Sequence, residues 1–180
     1  MKKTFWCLIV LSVFSCEDVE VTDVYNEEPV TAEDPCVSDA LNCLDSINVQ
    51  GGSVNFYSSF SLDSINLVSG AIIVVHGATR NGDDYFNRMI STIKSVGMED
   101  SIMVIAPQFI TEYEKVHDKD WYWNTTSWKW GNQSYMNGSQ TSISSFEVID
   151  YLLSRTADIN KFPNLSKVLI TGHSSGSAFT

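Results

Sequence analysis

Basic residues are scarce in this chain. Its 180 residues hold 11 Lys and Arg against 22 Asp and Glu, a net charge of -11. Binding to nucleic acid needs clustered cations that replace phosphate counterions, so nucleic acid is excluded as a partner, and the acidity reads as a solubility feature. Long apolar runs are also missing. The most apolar stretch, Phe5 to Phe14, is too short to cross a bilayer. Cysteine is sparse, with four in all, and only Cys36 and Cys43 fall in the body of the chain. Two cysteines do not make a zinc site, so no metal is expected. There is no internal repeat. What remains is 43% hydrophobic and 12% aromatic, the composition of a globular domain with a sizeable core.

The first fifteen residues read as a signal peptide. Lys2 and Lys3 form a basic n-region ahead of the apolar h-region. The stretch ends in Val13-Phe14-Ser15-Cys16, where a small residue directly before cysteine resembles the lipobox of bacterial lipoproteins. That resemblance implies cleavage before Cys16, a lipid on its new N-terminus and attachment to a membrane, periplasmic or at the cell surface. Glu17, Asp18 and Glu20 resemble the surface-export signal of some such lipoproteins. The alternative is an ordinary cleaved signal that releases a secreted protein. Residues 16–49, acidic and containing Pro29 and Pro35, read as a tether. Within it Cys36 and Cys43, six residues apart, suit a disulfide in an oxidising compartment.

From about residue 50 the pattern becomes that of a folded domain, taken to run over 50–180. Residues 54–60 alternate loosely and predict an early strand. Ala71 to Val75 is a continuous β-branched run, as in a strand buried on both faces. Asp84 to Val96 carries Phe86, Ile90, Ile93 and Val96 near helical spacing, and Gly97 ends it. Ser101 to Ala106 is a second buried strand, stopped by Pro107. A long loop covers roughly 107–141. Ser144 and Glu147 form a capping-box pattern opening a helix to about Arg155, with Phe146, Ile149, Leu152 and Leu153 on its buried side. Lys167 to Thr171 is a last strand. Strands alternating with helices predict a mostly parallel α/β sheet with flanking helices, with the loops after the strands gathered on one edge.

Two segments carry chemistry. Gly172-His173-Ser174-Ser175-Gly176 is a G-x-S-x-G pattern placed between a strand and a helix start, the context of a nucleophile elbow. The turn is so tight that a side chain at Gly172 or Gly176 would meet backbone, while Ser174 is pushed outward as the nucleophile. The second segment is His76-Gly77-Ala78, at the end of the earlier strand. A tetrahedral intermediate requires two fixed N–H donors: one from Ser175 and one from Gly77 or Ala78. His76 reads as a brace for that loop and His173 as a support of the elbow.

With these stretches go Ile105-Ala106-Pro107-Gln108-Phe109, Trp128-Lys129-Trp130-Gly131 and Ser145-Phe146-Glu147-Val148-Ile149-Asp150. Together, over residues 50–180, they resemble the α/β-hydrolase superfamily of secreted esterases, lipases and peptidases. One departure is Ser177, where many relatives carry a further glycine. The resemblance implies a serine hydrolase of ester or related acyl bonds, carboxylesterase-like, acting through an acyl-enzyme on Ser174 without a cofactor, on a small-molecule or polymeric acyl substrate. It also implies a triad in the order Ser, then acid, then His. Only Ser177 to Thr180 follow Gly176, so the acid and the histidine are expected beyond these residues. The chain then reads as the N-terminal part of the domain, inactive by itself and exposing a bare strand edge.

Four of the five tryptophans, Trp121, Trp123, Trp128 and Trp130, cluster in the long loop. They read either as a wall for sugar rings or acyl groups, or as anchors of the loop. The first option supports an alternative function, a non-catalytic tethered binding lipoprotein on a degenerate hydrolase fold. Asn124, Asn132, Asn137 and Asn164 match the N-glycosylation pattern, largely as a consequence of abundant Asn, Ser and Thr.

Overall fold

The structure is a computed structural model that describes residues 33–180. The segment read as a signal peptide, the candidate lipidation residue Cys16 and the first part of the expected tether lie outside the described residues. The remainder of the tether does not behave as one. Asp39 caps a short 3-10 turn at Ala40–Cys43, which leads straight into strand β1, Leu44–Val49. β1 pairs antiparallel with β2, Gly52–Ser58, from Leu44↔Tyr57 to Val49↔Gly52. The folded domain therefore starts well before residue 50. The two-residue turn between these strands, Gln50-Gly51, has φ of 49° and 88°. Positive φ at both positions matches the twist of a tight hairpin. Cys36 and Cys43 are joined by a disulfide, and Cys36 N–H donates to Ser59 O at 2.7 Å, pinning this first segment to the end of β2.

Next come β3 (Gly70–Val75), α1 (Gly82–Ser95), β4 (Ile102–Pro107), α2 (Ser145–Thr156), β5 (Lys167–Gly172) and the short α3 (Ser175–Phe179). The five strands lie in the order β1-β2-β4-β3-β5; β4, β3 and β5 run parallel, while β2 is antiparallel to both of its neighbours. The result is a mixed α/β fold whose sheet is parallel through its centre.

Period-two alternation sorts the strand residues between two cores. Ala71, Ile73 and Val75 of β3 join Met103 and Ile105 of β4 on the α2 side. Val74, Val104 and Ala106 face α1, which inserts Phe86, Ile90 and Ile93. The chain moves from β3 to β4 in one direction across the sheet and from β4 back past β3 to β5 in the other. Right-handed crossovers in opposite directions place α1 and α2 on opposite faces. The chain therefore leaves the carboxyl ends of β3 and β5 towards opposite faces of the sheet, α1 on one and α3 on the other.

Local signals set the helix ends. α1 carries Asp83 and Asp84 in its first turn and Lys94 in its last, complementing the helix dipole. It stops in a Schellman arrangement, with Gly97 N–H on Lys94 O and Met98 N–H on Ile93 O, around Gly97 at φ +66°. α2 opens with the Ser144–Glu147 capping box. Its buried residues are Ser145, Val148, Ile149, Leu152 and Thr156. Phe146, expected on the buried side, is 43% exposed, because the helix turns Val148 inward instead.

Candidate active site

Ser174 stands between β5 and α3 with φ 57° and ψ -118°. A side chain with a β-carbon enters this region only when its surroundings hold it there. Two glycine contacts do so. A β-carbon on Gly172 would lie 2.5–2.9 Å from the backbone of Gly176. One on Gly176 would strike Val75 O and lie 2.7 Å from His76 O. Both positions must be glycine for the turn to close and for α3 to dock on the end of β3. Ser174 is exposed, and its Oγ has no hydrogen-bond partner among the described residues.

The segment after β3 lies against this turn. A β-carbon on Gly77 would be 3.7 Å from Ser174 Cβ and 3.6 Å from His173 O. Gly77 to Arg80 form a tight turn closed by Arg80 N–H to Gly77 O at 3.1 Å. His76 Nδ1 sits 2.9 Å from the same Gly77 oxygen. The Gly77 carbonyl and the Ala78 N–H belong to one planar peptide, so anchoring the oxygen inside the turn aims the N–H outward. Among the described residues the N–H groups of Ala78 and Ser175 have no acceptor.

His76 is fully buried and both its ring nitrogens are engaged. Nε2 accepts Phe109 N–H at 3.0 Å, which places the ring proton on Nδ1 facing Gly77 O. Burial lowers its pKa from 6.5 to about 4, outweighing the hydrogen bond to Gly77, so the ring is neutral at pH 7. It ties the loop after β3 to the loop after β4 and has no free nitrogen to serve as a base. Its ring packs edge-on against Trp128, with centroids 4.6 Å apart.

The other histidines are placed elsewhere. The His173 ring turns towards α1, with Nδ1 3.4 Å from Tyr85 Oη. His117 lies exposed in the long loop, where its backbone N–H is held by Asp120 Oδ2. Among the described residues no histidine or carboxylate hydrogen-bonds to Ser174.

Of the two readings open to the tryptophan cluster, burial supports the loop anchor for three of the four. Trp121, Trp123 and Trp128 are each 1% exposed and form core rather than a substrate wall. Trp121 Nε1 donates to Val49 O and Trp123 Nε1 to Asn132 O, so the indoles bind the loop down by both their apolar and polar parts. Only Trp130 of the four is exposed, with the Lys129 ammonium over its ring. Phe146 packs on Phe179 of α3, with centroids 4.8 Å apart.

Around the Gly77 turn stand four residues without an assigned role in the sequence reading, Arg80, Tyr85, Gln108 and Glu114, of which only Gln108 falls in a quoted stretch. Gln108 follows Pro107 at the end of β4, which was a signal for a position on the functional edge; nothing local marks the other three.

No protein-family model matches this chain, and no curated protein does. Among solved structures, poly(aspartic acid) hydrolase-1 from Sphingomonas sp. KT-1 is similar at 22% identity and a TM-score of 0.43. The alignment covers 76% of this chain and 48% of that one, so the chain spans about half the length of that protein.

Proposed function

We propose that this chain carries the nucleophile and the anion-binding loop of an α/β-hydrolase-type serine hydrolase acting on ester or related acyl bonds. The observation that supports it best is the strained backbone of Ser174, held beside Gly77 by two glycine contacts that no side chain could replace. A serine needs no such backbone to be a surface residue, whereas a nucleophile elbow uses it to push the hydroxyl out of the turn.

In this reading Ser174 Oγ attacks the acyl carbon, and its proton passes to a histidine. The carbonyl π electrons move onto oxygen, and the anion is met by Ser175 N–H and by Ala78 or Gly77 N–H. Collapse expels the alcohol or amine, protonated by the same histidine, and leaves an acyl-Ser174 ester that water cleaves. No histidine or carboxylate among the described residues reaches Ser174, so in this reading the base and its acid are residues other than the described ones. Without them Ser174 is an ordinary alcohol at neutral pH. The chain is exported in this reading, with Cys16 as the lipid-bearing residue; the Cys36–Cys43 disulfide fits an oxidising compartment.

The test is fluorophosphonate labelling of the full-length protein. Labelling that disappears in Ser174→Ala is expected. A folded full-length protein that does not react, or that reacts equally well without Ser174, rules the reading out. The 180-residue chain alone is expected to turn over p-nitrophenyl acetate no faster than its Ser174→Ala variant.

A further inference from the structure

The turn carrying Gly77 and Ala78 is fastened to the segment leaving β4 by more than His76. Gln108 Oε1 accepts Gly82 N–H at 2.9 Å, and its Nε2 donates to Arg80 O at 2.5 Å. The Arg80 guanidinium forms a two-pronged pair with Glu114, Nε to Oε2 at 3.0 Å and Nη2 to Oε1 at 3.2 Å. Its Nη1 donates to Ala78 O at 3.3 Å. Glu114 is held in turn by the N–H and hydroxyl of Thr111, at 2.7 and 2.8 Å. Arg80 itself has φ +53°, a conformation that costs free energy for a residue with a β-carbon.

The Thr111–Glu114 bonds cap the short 3-10 turn Glu112–Glu114, but the pair with Arg80 is not needed for that cap. The Glu114 side chain is 37% exposed, and ion pairs that wet contribute little to folding. What a two-pronged arginine–carboxylate pair does supply is direction, because the planar fork fixes orientation as well as distance. Here the fork's remaining nitrogen lands on the carbonyl of Ala78, inside the turn that lies against Ser174. The two peptides on either side of Ala78 are thereby both held: one through Gly77 O, the other through Ala78 O.

We propose that Arg80, Glu114 and Gln108 are positioning residues that fix the far side of the Gly77–Arg80 turn, through Ala78 O and Arg80 O, so that the adjoining Gly77–Ala78 peptide keeps the orientation in which its N–H meets the anion formed at Ser174, an assignment that rests on the hydrolase reading. None of the three touches the reacting atoms. Cutting the clamp leaves substrate binding in place and weakens only what is made in the transition state.

The experiment uses the full-length protein carrying Glu114→Gln or Arg80→Lys, with Glu112→Gln as a neighbouring acidic control. kcat and KM are measured on p-nitrophenyl acetate, alongside inhibition by a phenylboronic acid, which forms a tetrahedral adduct on the serine. For Glu114→Gln, kcat falls about 10- to 50-fold with KM within about twofold, and boronate affinity falls in parallel. Glu112→Gln leaves all three unchanged. Arg80→Lys keeps the charge but loses the fork, and shows the same pattern; it carries the test if Glu114→Gln does not fold. Unchanged kcat and boronate affinity in a folded variant overturn the clamp, as does a loss confined to KM. A wild-type protein without Ser174-dependent labelling is the distinct outcome that removes the hydrolase reading and this role with it.

Discussion

Strands β3 and β5 are neighbours, run parallel and are built from similar residues, yet one is core and the other faces solvent. Ile73 and Val75 of β3 are 0% exposed, whereas Val168 and Leu169 of β5 are 36% and 56% exposed. The residues do not make the difference. β3 has β4 on one side, β5 on the other and a helix layer over each face, while β5 has β3 alone beside it among the described residues. The two arms of the candidate site are accordingly held by different means. The Gly77 arm grows out of a saturated core and is clamped by polar contacts. The Ser174 arm grows out of a half-covered strand and depends on Gly172, Gly176 and the Phe179 ring, which sits among Phe109, Trp128 and Phe146.

The sharpest way to break this comparison is at the glycine seam. Gly176→Ala puts a methyl into the carbonyls that end β3, and backbone cannot retreat as a side chain can. A loss of about 4 kcal/mol or more is expected in thermal or denaturant unfolding, together with loss of Ser174 labelling. A fully stable, reactive variant would show that the elbow does not dock as described.

Matched truncations sharpen the contrast between the strands themselves. Ile73→Ala empties a fully packed site and is expected to cost about 3 kcal/mol, while Leu169→Ala removes a side chain already in solvent and costs less than about 1 kcal/mol. Equal losses in denaturant titrations would mean that β5 is as well covered as β3.

Acid acts on the β3 arm through His76. Its folded-state pKa of about 4 lies below the ordinary 6.5, so the unfolded chain takes up the proton more readily. The stabilisation is therefore complete above pH 6.5 and is lost as the pH falls from 6.5 through 4, amounting to about 3 kcal/mol. Unfolding measured across that range should show the decline in the parent and a flatter profile in His76→Gln. Glu114 titrates within the same arm. Burial pushes its carboxyl up, but the hydrogen bonds from Arg80 and Thr111 outweigh this and leave it below the usual carboxylate range, so its share persists to lower pH.

The smallest effect is expected at the exposed edge. Leu169→Lys should change stability by no more than about 0.5 kcal/mol while raising the concentration at which the chain aggregates, measured by light scattering.

Much of the domain was legible in order. The buried runs 71–75 and 101–106, the helix through Phe86, Ile90 and Ile93, the Ser144 capping box and the strand before Gly172 each announce themselves within a few residues. What stayed hidden depends on partners far along the chain. β1 offers only Ile47 and Val49 as buried positions and is defined by its register with β2. Its turn places Gln50 at positive φ, which glutamine does not advertise. The tryptophans were open to two readings because an indole serves equally as a platform or as an anchor; the choice rests on Val49 O and Asn132 O, to which two of them donate. Phe146 satisfied the helical stripe but lost its inward place to Val148. Arg80 and Glu114 are 34 residues apart, and no local pattern joins them.

By itself, the amino-acid sequence determined where the backbone must turn without side chains and where apolar runs must be covered: Gly172, Gly176 and the β-branched strands follow from steric and hydrophobic demands that act over a few residues. The tertiary structure alone decided that the Gly77 turn lies against the Ser174 turn, that the His76 ring stays neutral between two loops, and that three tryptophans serve as core. Those outcomes depend on directions and burial, which exist only once the carboxyl ends of β3, β4 and β5 have been brought to one edge.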